Sequence, residues 1–167
     1  MNSTTVAIFL LLLPPPGPPG RTYRPLFTIE RSLNANVVHY DAQIGPDGKL
    51  DAREPVVAYW ILVAQDRRRQ GLNALERHAA YGFSIHRDGD GAYKMVLVSK
   101  VDREIRIYLE GEVVRAEALI SGRRAYLQRI YVKTHRSVMV NIAEYAEMFG
   151  IDIATGQMCY EKIPLSH

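Results

Sequence analysis

The stretch Phe27-Thr-Ile-Glu-Arg-Ser-Leu-Asn-Ala-Asn-Val-Val-His-Tyr-Asp-Ala42 decides the reading of this chain. Two apolar-rich segments flank Asn34-Ala35-Asn36, and asparagines suit a turn or bulge between strands. Successive side chains on a strand point to opposite faces. If Phe27 and Ile29 point inward, Arg31 does too. An inward arginine is costly unless paired, so it is either a structural ion pair or an anchor for an anionic ligand. Beyond the turn, His39 and Asp41 share one face and Tyr40 takes the other. The His–Asp pair is either a surface pair or an imidazole oriented for base catalysis.

Working outward, the grammar stays mostly β. Leu26–Arg31 and Val37–Ile44 read as strands, and Pro46-Asp47-Gly48 closes the second. Val56–Ala64 is apolar on both faces, which predicts a central, doubly covered strand. Gln65–Gln70 is polar and reads as a loop. Asn73 as N-cap, a stripe of Leu72, Leu75 and Ala79, and a closing Gly82 predict one short helix packed on the outer face of the preceding strand. Phe83–Arg87, Tyr93–Lys100, Glu104–Glu110, Val113–Ser121 and Arg123–Thr134 follow as strands joined by tight turns. Ile105, Ile107 and Leu109 share a face, as do Val114, Ala116, Ala118 and Ile120. Val138, Ile142, Tyr145, Ala146 and Phe149 fit a helical stripe or a long strand. The Ala154-Thr155-Gly156 turn favours the strand, paired with Met158–Ile163.

Many short strands with tight turns and one helix predict a mainly β fold. The expected form is an antiparallel meander closing into a barrel, lipocalin-like or sandwich-like, over residues 23–167. Such a barrel holds packed side chains or one small ligand. The N-terminus is different. Val6–Leu13 is an uninterrupted apolar run, too short to span a membrane, with no Lys or Arg before it. Pro14-Pro-Pro-Gly-Pro-Pro-Gly20 follows and cannot continue a helix. Residues 1–22 therefore read as a degenerate export signal plus linker, which points to the periplasm or envelope.

Composition narrows the function. The net charge is +3, and the one basic cluster, Arg67-Arg68-Arg69, lacks aromatic interleaving, so it reads as a solvated turn rather than a nucleic-acid patch. One cysteine, Cys159, rules out an intrachain disulfide and a cysteine metal cluster. Glycine-rich phosphate loops, HExxH and Gly-x-Ser-x-Gly are absent, and no cofactor is expected. Asp88-Gly-Asp-Gly-Ala92 shares half of a calcium loop, but no acidic residue closes it, so it reads as a hairpin turn. The histidines are scattered, and no metal site is expected.

The chain resembles an uncharacterised bacterial family, DUF4833. The resemblance is carried by Ile29 through Asp41, by Leu50-Asp51 with Pro55 and Tyr59-Trp60, by Leu72 through Gly82, and by Tyr160-Glu161-Lys162-Ile163. It covers most of the chain after the linker and implies an exported or envelope-associated domain, with no activity to carry over.

Candidate site residues follow from alternation. Tyr59 and Trp60 point to opposite faces, one to the core and one beneath the helix. Glu76 with Tyr81 is placed to close one mouth of the barrel. The favoured reading is a non-enzymatic module holding a small anionic or apolar molecule near Arg31, Asn34, Asn36, Tyr40, Tyr59, Trp60, Glu76 and Tyr81. A hydrolase-like or lyase-like enzyme using His39 and Asp41 with Arg31 is the alternative. A structural or protein-interaction domain of the envelope is the third, and it predicts an exposed apolar patch.

Overall fold

The structure, a computed structural model, describes residues 20–99, 102–136 and 141–165. The chain runs β1 (Thr22–Arg31), β2 (Asn34–Ile44), β3 (Val56–Leu62), β4 (Arg68–Gly71), α1 (Ala74–Ala79), β5 (Phe83–Arg87), a 3-10 turn (Gly89–Gly91), β6 (Tyr93–Leu97), β7 (Glu104–Glu110), β8 (Val113–Ile120), β9 (Arg123–Arg136), β10 (Asn141–Asp152) and β11 (Met158–Pro164). The apolar run and most of the Pro–Gly linker fall outside the described residues, and Thr22 already belongs to β1.

All the strands join one 11-stranded sheet in the order β4-β3-β2-β1-β9-β8-β7-β6-β5, with β10 beside β9 and β11 beside β10. Two expectations are corrected here. The sheet is not a simple meander, because β1 pairs parallel with β9, from Thr28 opposite Arg129 to Arg31 opposite Val132. Nor is it a closed barrel. The end strands β4 and β5 do not pair, and the sheet curls into an open half-barrel.

Alternation accounts for the inner face. Phe27, Ile29, Val38, Tyr40, Ile105, Ile107, Ala116, Ala118 and Ile120 are all buried in one continuous core. Phe27 stacks on Tyr40 with ring centres 4.5 Å apart. The β10–β11 hairpin adds Met148 and Ile163 to the same core. Gly150 permits its close approach to β9, since a Cβ there would lie 2.7 Å from the Tyr126 carbonyl oxygen.

Two further expectations change. The Val56–Ala64 strand is buried on both faces but is not central: β3 is second from the sheet edge, flanked by β4, which the polar composition of Gln65–Gln70 hid. The helix does not lie on the outer face. None of its residues is buried, and Leu75 is 75% exposed. Instead Glu76 accepts a hydrogen bond from the indole of Trp60, a core residue, at 3.1 Å, which holds the helix over the concave side. The predicted Asn73 cap is present as a reciprocal pair: its side chain accepts from the Glu76 N–H, and Glu76 accepts from the Asn73 N–H.

Candidate functional site

Two sites emerge, one on each face of the sheet near β1 and β2. The first is a cavity of about 190 Å³ under the concave face. Its walls are apolar: Ile29 from β1, Leu97 and Ile105 from β6 and β7, Ile130 and Val132 from β9, Ala143, Ala146 and Met148 from β10, and Ile163 from β11. Polar groups enter it from Arg31, Arg103, Ser99 and Tyr81.

These polar groups differ in their commitments. Arg103 is fixed by Glu161 at 2.9 and 3.0 Å and by the Leu119 carbonyl at 2.7 Å. Arg31 forms no ion pair among the described residues; its guanidinium lies 4.5 Å from the centre of the Tyr81 ring. Tyr81 is 3% exposed, and its hydroxyl has no hydrogen-bond partner among the described residues. Burial pushes that hydroxyl up to about 12, with Arg31 pulling it down. The ring is held from behind. Trp60 meets it edge-on at 5.0 Å, and the Tyr40 hydroxyl donates to the Tyr81 carbonyl at 2.7 Å. A buried donor without an acceptor costs about 1–3 kcal/mol unless something supplies one.

The second site is a groove of about 920 Å³ on the other side of β2. His39, Asp41 and Tyr59 line it together with Arg67, Arg68 and Arg69. The Tyr59 hydroxyl donates to Asp41 Oδ2, and the Arg69 guanidinium lies 3.6 Å from the centre of the Tyr59 ring. His39 stacks on Tyr59 with centres 5.7 Å apart. Burial lowers the His39 pKa against the pull of Asp41, so the imidazole tends to be neutral.

Asp41 is 1% exposed, and its Oδ1 has no hydrogen-bond partner among the described residues. Burial raises its carboxyl above the ordinary range, opposed by the Tyr59 hydrogen bond and the charges of His39 and Arg69. A carboxyl raised in this way holds its proton more tightly in the folded chain than in the unfolded one. Its contribution to stability is therefore present in acid and lost as pH rises through the folded pKa. Asp41→Asn, which keeps an oxygen to accept from Tyr59, is expected to melt above the wild type at neutral pH. The gap should close once the pH falls below the ordinary carboxyl value of 3.8. Melting curves across pH check this, and a variant less stable at neutral pH would show that the ionised carboxylate is net favoured.

A family model described as a domain of unknown function (DUF4833) matches residues 27–162. The chain belongs to the DUF4833 family. No curated protein and no solved structure matches it significantly. The matched region of this DUF4833 domain takes in most of both sites and begins at Phe27, leaving Ile163 of the cavity and Pro25 and Leu26 of the groove outside it.

The predicted residues thus divide between several places. Arg31 and Tyr81 line the cavity, with Tyr40 and Trp60 behind them. Tyr59 faces the groove. The turn expected at Asn34-Ala35-Asn36 falls instead at Ser32-Leu33, and both asparagines belong to β2: Asn34 accepts from the Asn36 N–H at 2.9 Å, and Asn36 accepts from the Val63 N–H at 3.0 Å, tying β2 to the end of β3. Glu76 is occupied by Trp60 and the helix cap. His39 and Asp41 do come together, but Arg31 opens into the cavity and they open into the groove. Arg69 is the cation beside them, and a triplet of arginines read as a solvated turn gave no signal for it. The walls from β9 to β11 were missed as well. Among the described residues, no cluster of His, Cys, Asp or Glu can hold a metal ion, and no helix is long and apolar enough to cross a membrane.

Proposed function

We propose that this DUF4833 domain is a non-enzymatic binding module for a small amphiphilic anion, held in the concave cavity. What supports this is the pairing in one apolar pocket of a cation lacking a carboxylate and a buried hydroxyl lacking an acceptor, Arg31 and Tyr81. A carboxylate placed there would accept from both, and its apolar body would cover Met148, Ile105 and Ile130. Size sets the class. A dry apolar cavity of about 150 Å³ holds benzene, so this one suits a single ring or a short branched chain bearing one acid group. The apolar run before the domain supports a place in the periplasm or envelope for such a module.

Melting the protein in the presence of phenylacetate, benzoate and short branched carboxylates, each beside its neutral amide, tests the reading. The acids are expected to raise the melting temperature, by about 2.7 kcal/mol of added stability at a hundredfold excess over Kd, and the amides far less. Equal shifts from acid and amide, or none from either, would sink it.

A further inference from the structure

We propose that the groove is a strand-acceptor slot for an extended acidic segment of a partner protein. On one edge, β9 changes neighbour: Arg123–Tyr126 pair with β8, and Arg129–Val132 pair with β1. Between these runs the neighbours part like a fork, and Leu127 and Gln128 form its base. Among the described residues, Val113–Ala116 of β8 therefore pair only with β7, leaving an open ladder edge that lines the groove. An unpaired edge of this kind is a template for one more strand, with backbone hydrogen bonds giving affinity and pockets for alternate side chains giving specificity. Across the slot β1 presents Pro25, which has no N–H to donate, so the incoming strand takes its ladder from β8.

Charge picks the occupant. Arg67 and Arg68 are exposed at the rim and form no ion pair among the described residues. Arg115 is tied to Glu110 at 2.9 Å and Arg69 to the Tyr59 ring. A segment alternating acidic and apolar residues meets these demands, its carboxylates toward Arg67 and Arg68.

The test uses the full chain and an acetylated heptapeptide alternating valine and glutamate, labelled for anisotropy. It is expected to bind, to slow amide exchange over Val113–Ala116, and to lose about tenfold or more in affinity to Arg67→Glu/Arg68→Glu, two exposed positions. N-methylation of alternate peptide amides should abolish binding, and Arg31→Ala should leave it unchanged. No binding, equal binding by the N-methylated or the lysine-for-glutamate peptide, or unprotected Val113–Ala116 would each overturn the proposal.

Discussion

Gly82→Ala is expected to lower stability by about 3 kcal/mol, near the top of the usual overpacking range. A Cβ at this position would lie 1.7 Å from the Arg77 carbonyl oxygen and 2.7 Å from its carbonyl carbon. Both are backbone atoms at the end of α1, so no side chain can swing away to make room. Nor can Gly82 retreat easily. Its carbonyl accepts from the Val98 N–H at 2.9 Å, and the Tyr81 N–H beside it donates to the Glu76 carbonyl at 2.8 Å. For a domain of this size the loss corresponds to roughly 6–12 °C in Tm. Because Tyr81 adjoins the strained residue, the same variant should also weaken ligand binding. A Tm within a degree or two of wild type would mean that the helix end is free to shift.

Arg31→Ala should reduce affinity for a small carboxylate roughly 10- to 150-fold, the range expected for losing a charge-assisted hydrogen bond of about 1.5–3 kcal/mol. The side chain is only partly buried and holds no carboxylate among the described residues, so its removal should cost little stability. Arg31→Lys should keep part of the affinity, because lysine supplies charge without the planar fork. Calorimetric titration separates the cases. If alanine and wild type bind the acid equally, Arg31 does not hold the anion.

Much of the sheet was legible because its strands are bounded by local signals. The strands Phe83–Arg87 and Glu104–Glu110 match the expected bounds, and the C-terminal hairpin formed as its Ala154–Gly156 turn indicated. The open barrel was not legible. It depends on the parallel pairing of β1 with β9, about a hundred residues apart, and no local pattern encodes such a contact. The strand β4 was missed because an edge strand needs only one neighbour, here Tyr59–Leu62, and can carry arginines along its length. The helix was found, but its apolar stripe misled. Leu72, the Glu76–Trp60 hydrogen bond and Tyr81 anchor the segment, while Leu75 stays in solvent.

The sites divide in the same way. Period-two alternation carried Arg31 to the side of Phe27 and Ile29, despite a register shift between Ile29 and Arg31. It also set His39 and Asp41 on one face. The partners that give these residues meaning came from far along the chain. Tyr81 lies beyond α1, Arg69 sits on an edge strand, and Met148 belongs to the folded-over hairpin. Those contacts arise from the curl of the sheet.

The most direct test is nuclear Overhauser spectroscopy on methyl-labelled protein with bound phenylacetate. The ligand's ring protons should show contacts to the methyl groups of Met148, Ile105 and Ile130, with the signals lost in Arg31→Ala at equal concentrations. Contacts confined to Val114 and Leu127 in the groove, or none at all, would contradict a ligand site under the concave face.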